Sequence, residues 1–370
     1  MAGAAAGGGV SRWPSLAAAA RAARPAPFEL WTVGGAVATI ALLRARGLDY
    51  GWNTVAHTFP ALLAALPRLL AVGLALNLVA ARLGGERWRD YLRGIASGRW
   101  ALGWARLWLM VAVQIYAYMW LKVSIPLVNA RLWDGELWRL DRLLHFGVSP
   151  TVLAIELAAG TPLARAIDVL YGLWIPSVPL VFAYVFCWRE AAPRRHLALA
   201  SAALWTLGAW MYFALPAVGP CYASPDVMAP VAADMPTAVG TQRALWQNYL
   251  GMVRSRGAQP DHFQPMFGVA AMPSLHVGAY VLFALWSRRH ARRWQLFWWL
   301  ATGVIFCGSL ATGWHYAVDG YAGALLAWLA IRIADRFEPV ERGETEPRES
   351  PVLASPAACP RSSGADSARS

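Results

Sequence analysis

The sequence predicts an all-α fold, a polytopic transmembrane helical bundle of about eight spans. Hydrophobic residues make up 58% of the 370 residues, and charged residues make up 15%. A soluble domain carries about a quarter charged residues, so this composition is typical of a membrane protein. Several apolar runs reach the roughly 18 residues that a membrane-spanning helix requires. Arginines cluster between these runs, as expected for loops at a membrane surface.

Eight apolar runs are candidate spans. In chain order they are residues 28–43, 60–82, 104–126, 164–187, 196–216, 274–287, 295–312 and 315–335. The segments outside them, 1–27 and 337–370, are predicted to be disordered tails. The first is rich in Ala, Gly and Arg and lacks the apolar core and cleavage site of a signal peptide. The second is rich in Pro, Ser, Glu and Arg.

The basic residues predict the orientation of the bundle. The formal net charge of +12 would also suit a nucleic-acid-binding protein. The arginines, however, cluster in three loops, which favours the positive-inside rule and no nucleic-acid partner. The clusters are Arg82, Arg87, Arg89, Arg93, Arg99 and Arg106; Arg189, Arg194 and Arg195; and Arg288, Arg289, Arg292 and Arg293. We expect these loops and both termini in the cytoplasm, and the loops 127–163 and 217–273 and the turn near 313 on the other side.

One of the non-cytoplasmic loops, RLWDGELWRLDRLLHFG, predicts an amphipathic helix lying in the membrane interface. Its apolar face has helical spacing and consists of Trp133, Leu137, Leu140 and Leu144. The rest of the helix carries Asp134, Arg139, Asp141 and Arg142. A structural role is favoured over a catalytic one for the carboxylates of this helix.

The stretch from Gly308 to Gly323, GSLATGWHYAVDGYAG, pairs a histidine with a carboxylate. His315 and Asp319 are four residues apart and would share one face of a helix. A carboxylate there can accept the Nδ1 proton of the imidazole and leave Nε2 as a free lone pair. A lone histidine on an apolar helix is usually a buried structural residue, but ionisable groups at membrane depth favour a functional role.

The stretch from Phe267 to Tyr280, FGVAAMPSLHVGAY, predicts an anion site at a helix start. Pro273 and Ser274 precede an apolar run, so Ser274 would cap the helix, contact a phosphate, or do both. Unpaired N–H groups in a first helical turn attract an anion, and His276 beside them could protonate a leaving oxygen. Because His276 and His315 open alternate spans, we expect both at the same membrane surface. Together these residues favour metal-free phosphoryl transfer.

The pattern P-S-x-H, followed two spans later by H-x-x-x-D, resembles the motifs of the type 2 phosphatidic acid phosphatase (PAP2) superfamily of lipid phosphatases and phosphotransferases. AAMPSLHVG and GWHYAVDGYAG are similar to its inositol phosphorylceramide synthase-like branch. So are LKVSIP (Leu121 to Pro126), WDGELWRLDRLLHFG and LPAVGPCY (Leu215 to Tyr222). The resemblance covers residues 104–334. It implies a catalytic membrane domain over 104–336 with a six-helix core, preceded by two additional spans and an arginine-rich loop in 28–103.

The resemblance implies a role for each motif residue. His315 would be the nucleophile that forms a phosphohistidine, with Asp319 as its orienting partner. His276 would be the general acid and base, and Ser274 a phosphate contact. No metal and no cofactor is implied. The four cysteines are scattered, with no CxxC pair, and predict neither a disulfide framework nor a zinc site.

The sequence departs from the family pattern where the family binds phosphate through arginine. No upstream K-x6-R-P motif is found, since Lys122 is followed by Asn129 at the arginine position. The family's Ser-Arg pair before the second histidine is Gly308-Ser309 here, and the central glycine of P-S-G-H is Leu275. Cations that could supply charge instead are Lys122, Arg131, Arg254 and Arg256. An interfacial or structural role is favoured for each of them, and Lys122, the only lysine in the chain, is the best candidate among them for binding substrate.

A pocket with few cations favours a phosphodiester donor, because a diester carries one negative charge and a phosphomonoester approaches two. A diester donor favours transfer between lipids over hydrolysis. The resemblance to the inositol phosphorylceramide synthase-like branch implies that phosphoinositol is transferred from a phospholipid such as phosphatidylinositol to ceramide or another lipid alcohol. The alternative is a lipid phosphate phosphatase that uses water on phosphatidic acid or a polyprenyl diphosphate. A transporter or structural membrane protein is disfavoured, since the polar residues cluster at one surface and no inverted repeat is visible.

These expectations also assign a location. We expect a multi-pass protein of a bacterial inner membrane, with its active site on the non-cytoplasmic face. Its partners would be a phospholipid donor and a lipid alcohol acceptor, both embedded in the membrane. His262, in the loop stretch QPDHF, is expected to be a solvated histidine rather than a substrate contact.

Overall fold

The computed structural model describes residues 24–48, 52–255 and 268–339. This part of the chain is all-helical and contains no strand, which confirms the predicted fold class. The helices are α1 (Pro27–Ala45), α2 (Trp52–Leu83), α3 (Trp88–Ile95), α4 (Gly98–Val128), α5 (Asp134–Leu144), α6 (Pro150–Ala158), α7 (Pro162–Gly172), α8 (Trp174–Phe186), α9 (Ala191–Ala214), α10 (Pro220–Ala223), α11 (Pro236–Ser255), α12 (Leu275–His290), α13 (Gln295–Ala311) and α14 (Ala317–Phe337). Most of the predicted tails, together with Arg256 and His262, lies outside the described residues.

Seven segments of the described chain are long and apolar enough to cross a membrane. They are Pro27–Ala45, Leu62–Leu83, Gly98–Val128, Pro162–Phe186, Ala191–Ala214, Arg292–Ala311 and Ala317–Phe337. The protein is therefore a multi-pass membrane protein, and seven of the eight predicted spans are confirmed. The remaining one, the sixth predicted span at 274–287, is helical as α12, but its 16 residues extend only about 24 Å. Since α12 is largely buried and packs against α9, α13 and α14, it is a short central helix of the bundle.

The fourth predicted span, 164–187, is interrupted. Helix α7 ends at Gly172 and α8 begins at Trp174, with Leu173 between them. Pro176 lacks the N–H group that would continue the helical ladder to the carbonyl of Gly172, so the helix breaks at this point. The break lies beside the start of α12, where it contributes side chains to the site described below.

The arginine-rich loops lie at one end of the bundle, where ion pairs stabilise them. Arg289, in the last turn of α12, donates to both carboxylate oxygens of Asp335 on α14, at 2.7 and 2.6 Å. Further pairs at this end join Arg106 with Glu29, Arg189 with Glu86, and Arg195 with Glu338. We call it the arginine-rich end. Helices α12 and α14 both begin at the opposite end, which we call the histidine end.

The helix predicted in the interface forms as α5. Its inward face carries Asp134, Leu137 and Asp141, which are 7%, 6% and 1% exposed. Leu140 and Leu144, by contrast, are 42% and 53% exposed. The sequence periodicity predicted one apolar face that contains Leu137, Leu140 and Leu144. It placed Asp134 and Asp141 on the polar side of the helix. That assignment is wrong for the acids, because backbone N–H groups elsewhere in the fold bind their carboxylates in the interior.

Helices α12 and α14 approach each other closely at the histidine end. The N–H of Ser274, just before α12, donates to the carbonyl of Asp319 on α14 at 2.8 Å. One turn along α14, a Cβ added at Gly323 would come 2.1 Å from the carbonyl oxygen of Ser274. Gly278 faces the carbonyl of Gly323 from the other side. Small residues at such a crossing let two backbones approach, and this approach brings the two histidine motifs side by side.

Replacing Gly323 with alanine should force α12 and α14 apart, since the new methyl group would collide with backbone. We expect a loss of about 1–3 kcal/mol or more in stability, measured as a lower melting temperature in detergent. The control is Gly303→Ala on α13, where no atom lies within 4 Å of the Cβ position. Alanine there should raise helix stability by up to about 1 kcal/mol. Equal melting temperatures for the two variants would contradict the close contact.

Candidate active site

The first histidine motif lies at the start of α12. Ser274 is the N-cap residue, and its Oγ accepts a hydrogen bond from the N–H of Val277 at 3.4 Å. The predicted cap is therefore confirmed, while a contact between Ser274 and phosphate stays a prediction. His276 follows in the first turn, is partly exposed, and turns its ring towards the second motif.

The second motif lies in the turn before α14. Gly313, with a φ of 68°, bends the chain, and His315 precedes the first helical residue, Ala317. The prediction that His315 and Asp319 share a helical face is therefore wrong. Asp319 instead reaches back from the first turn, where a carboxylate satisfies a free N–H group. Its Oδ2 accepts from the N–H of Tyr316 at 2.9 Å and lies 3.3 Å from Nδ1 of His315.

The two histidines are in direct contact. Nδ1 of His276 lies 2.9 Å from Nε2 of His315, and the ring planes meet at 70°. His315 and Asp319 are 2% and 0% exposed. If Nδ1–H of His315 is directed at Asp319, Nε2 carries the lone pair and the shared hydrogen belongs to His276. The site then presents an imidazole lone pair and an imidazole N–H to one point, as nucleophilic attack with proton donation requires.

Two buried carboxylates of α5 hold the backbone around the histidines. Asp134 accepts from the N–H groups of Val218 at 3.0 Å and Gly219 at 2.8 Å, and from the hydroxyl of Tyr316 at 3.0 Å. Asp141 accepts from the first two N–H groups of α14, at 3.1 and 3.0 Å. Burial raises the pKa of the Asp141 carboxyl, although these N–H groups oppose the shift. Sequence reasoning missed this role, although a seven-residue spacing puts both acids on one helical face.

Lys122, on α4, lies over the rings of two buried tyrosines. Its ammonium group is 5.7 Å from the ring centroid of Tyr118 and 5.5 Å from that of Tyr212. Its positive charge acts on the imidazole of His276. In the part of the chain that the structure describes, no ion pair joins Lys122 to a carboxylate. A contact between Lys122 and a phosphate at the histidines stays a prediction.

Arg131 and Arg254 were the other described candidates for supplying positive charge, and their surroundings differ from those of Lys122. Arg131 lies over the ring of Trp133, 3.8 Å from its centroid, and pairs with Glu136 at 3.4 Å. Arg254 is exposed near the end of α11. Both observations agree with the structural or interfacial role expected for these two arginines.

Two side chains that the sequence analysis did not single out complete the surroundings of His276. The hydroxyl of Tyr171 lies 2.9 Å from its Nδ1, and the ring of Trp174 lies 4.2 Å from its ring, centroid to centroid. Both residues flank the break between α7 and α8. Gly172 and Pro176 inside a predicted span were the signal that could have found them, because interrupted membrane helices often line binding sites.

A comparison with protein families gives the class of this site. The model of the PAP2 superfamily matches residues 135–333, more than half of the chain. The chain belongs to the PAP2 superfamily. This confirms the resemblance at the level of the superfamily, and both histidine motifs lie inside the matched region. No curated protein and no solved structure matches the chain.

Membership of the PAP2 superfamily, together with the seven membrane-spanning segments, makes this protein a membrane enzyme of the lipid phosphatase and phosphotransferase class. The matched region begins at the second residue of α5 and ends in α14, so it contains Asp141 and its partners at the start of α14. Lys122 and Asp134 precede it.

Replacing Asp141 with asparagine should weaken the start of α14, because the amide nitrogen cannot accept the second N–H. We expect a loss of about 1–3 kcal/mol in stability and lower turnover, since the first turn carries Asp319. Asp168→Asn is the matched control, because Asp168 accepts from the N–H groups of Thr237 and Ala238 at the start of α11. Both variants should melt earlier, but only Asp141→Asn should lose turnover per folded molecule. Equal turnover would argue against the positioning role of Asp141.

Proposed function

We propose that this enzyme is a phosphotransferase of the inositol phosphorylceramide synthase-like branch. It moves phosphoinositol from a phospholipid such as phosphatidylinositol to a lipid alcohol such as ceramide, through a phosphohistidine on His315. The observation that carries the proposal is the distance of 2.9 Å between Nδ1 of His276 and Nε2 of His315. Asp319 supports it from behind, 3.3 Å from Nδ1 of His315.

In the first step, Nε2 of His315 attacks the phosphorus of the donor. The new P–N bond forms as the bond from phosphorus to the diacylglycerol oxygen breaks, and His276, which enters the step as an imidazolium, gives its Nδ1 proton to that oxygen and becomes neutral. Asp319 accepts the Nδ1–H of His315 and stabilises the positive charge that the ring gains. These side chains supply a nucleophile, an acid and an orienting carboxylate, so the proposed step requires no metal ion.

In the second step, the acceptor alcohol takes the place of diacylglycerol. His276, now neutral at Nδ1, removes the hydroxyl proton of the acceptor as its oxygen attacks the phosphorus. The P–N bond breaks, the phospho-head group passes to the acceptor, and His315 regains its lone pair. The two steps leave the enzyme in its starting protonation state.

The charges around the histidines support a diester donor. Ser309, at the position of the family's arginine, is buried and donates its hydroxyl hydrogen to the carbonyl of Phe306 at 2.7 Å. Lys122 then remains as the cation proposed to contact the phosphate. One ammonium group matches the single negative charge of a diester better than the two charges of a monoester. This balance favours head-group transfer over the alternative, a lipid phosphate phosphatase.

The upstream sequence phrases support the assignment to the branch. LKVSIP contains Lys122, whose charge acts on His276. WDGELWRLDRLLHFG forms α5, and its Asp134 accepts from the N–H groups of Val218 and Gly219 in LPAVGPCY. Three segments that are distant in sequence therefore contribute to one site, which is what we expect of segments that bind a shared substrate.

The two ends of the bundle support a non-cytoplasmic active site. Arginines concentrate at the arginine-rich end, and the positive-inside rule assigns such an end to the cytoplasm. The histidine end then faces away from the cytoplasm, towards the periplasm if the protein resides in a bacterial inner membrane. The donor and the acceptor would reach it from the outer leaflet.

The reaction can be tested with purified protein, phosphatidylinositol labelled in the head group, and ceramide. We expect labelled inositol phosphorylceramide as the product. His315→Ala should lower transfer by at least about 10³-fold, because it removes the nucleophile. His276→Ala should retain an acid-labile labelled adduct, since the second step lacks its base. Normal transfer by His315→Ala would contradict the proposal, and release of phosphate from phosphatidic acid without head-group transfer would support the phosphatase.

Replacing Lys122 with methionine should weaken use of the donor, because it removes the proposed phosphate contact and keeps the length of the side chain. We expect kcat/KM for the diester to fall by roughly 10²-fold, with partial recovery in Lys122→Arg. Arg131→Met is the control, since Arg131 is already engaged by Trp133 and Glu136. An unchanged kcat/KM in Lys122→Met would remove this residue from the site.

A further inference from the structure

Two aromatic rings from the segment that contains the break between α7 and α8 pack against His276. The ring of Tyr171 meets the imidazole edge to face, with centroids 5.7 Å apart, and the ring of Trp174 lies 4.2 Å away, centroid to centroid. Leu173 and Ile175 belong to the same segment and are 53% and 59% exposed on the outside of the bundle. The broken segment therefore separates the imidazole from the lipid.

The ring of Tyr171 is held in a fitted position. It is 5% exposed, and it packs on Gly308 of α13. A Cβ added at Gly308 would come 3.0 to 3.3 Å from three atoms of Tyr171. Any larger residue at this position would press on the tyrosine and move its hydroxyl. The glycine that replaces the serine of the family's Ser-Arg pair thus makes room for Tyr171.

Nδ1 of His276 has two neighbours at hydrogen-bond distance. The hydroxyl oxygen of Tyr171 and Nε2 of His315 each lie 2.9 Å away. The contact with His315 is lost in the proposed reaction, because Nε2 must bond to phosphorus. A side chain that loses a hydrogen-bond partner loses the free energy of that bond and is free to turn. The hydroxyl of Tyr171 is the partner that remains.

We propose that Tyr171 is a positioning residue for His276, whose hydroxyl holds the imidazole in place through both steps of the transfer. This inference rests on the proposed function. A hydroxyl accepts a hydrogen bond from an N–H group and donates one to a lone pair, whereas a carboxylate only accepts and an ammonium group only donates. Tyr171 therefore matches Nδ1 in both protonation states. It holds the ring before the proton leaves and again before the acceptor approaches, and it yields Nδ1 to the substrate oxygen during each proton transfer.

The test is a double-mutant cycle on Tyr171→Phe and His276→Ala, with both variants assayed for head-group transfer. Tyr171→Phe should lower kcat by about tenfold, the effect of one hydrogen bond, with little change in KM. In the His276→Ala background it should have no further effect, because Tyr171 acts through His276. Tyr280→Phe is the matched control. It removes a hydroxyl that bonds Ser177 at 2.8 Å, one turn along α12 from His276, and should leave kcat unchanged.

A donor whose leaving group needs no proton gives a second readout. A lipid-like phosphodiester of nitrophenol releases nitrophenolate without help from a general acid. Tyr171→Phe should therefore release nitrophenolate in the first turnover at nearly the wild-type rate, while transfer from phosphatidylinositol slows by about tenfold. A merely structural role of Tyr171 would slow both donors alike.

Two results would contradict the positioning role of Tyr171. Wild-type kcat in Tyr171→Phe, or effects of Tyr171→Phe and His276→Ala that multiply in the double variant, would overturn the inference. If Tyr171→Phe does not fold, Gly308→Ala takes its place in the same cycle, because it displaces the ring and keeps the hydroxyl. If the wild-type protein transfers no head group and forms no adduct on His315, the proposed function is wrong, and the role of Tyr171 falls with it.

Discussion

The contact between α12 and α14 at the histidine end is the constraint on which the rest of the site depends. The hydrogen bond from the N–H of Ser274 to the carbonyl of Asp319 fixes one helix start against the first turn of the other. Gly323 permits it, since any side chain there would meet the carbonyl of Ser274. With both helix starts locked, His276 and His315 lie within 2.9 Å of each other. The geometry proposed for catalysis is therefore a consequence of backbone packing.

Buried aspartates stabilise non-helical backbone and helix starts, both at this contact and at the start of α11. Asp134, Asp141 and Asp168 each accept from two consecutive backbone N–H groups of a distant segment. Connecting segments and helix starts leave N–H groups without helical partners, and burial makes each unpaired group costly. A carboxylate with two acceptor oxygens satisfies two of them at once. Asp134 and Asp141 therefore explain how irregular backbone can be packed tightly around the histidines of a membrane enzyme.

The polar groups around the histidines distinguish this chain from the family pattern that its motifs resemble. Where the pattern has an arginine, Ser309 points its hydroxyl at a backbone carbonyl, and Gly308 leaves room for the ring of Tyr171. The hydroxyl of Tyr171 and the ammonium of Lys122 supply less positive charge than two guanidinium groups. The two proposals rest on neighbouring departures from the pattern. Ser309 in place of the arginine lowers the charge and favours a diester donor, and Gly308 in place of the serine makes room for Tyr171.

The sequence by itself determined the all-α membrane class, seven of the spans, the superfamily and the helix cap at Ser274. Each of these depends on local hydropathy or on residues a few positions apart. Only the tertiary structure decided that His315 precedes its helix, that the acids of α5 point inward, and that Tyr171 reaches His276. Tyr171 and His276 are 105 residues apart in sequence, and the partners of the acids are equally non-local. No local pattern encodes such contacts, because they form only when distant segments are packed together.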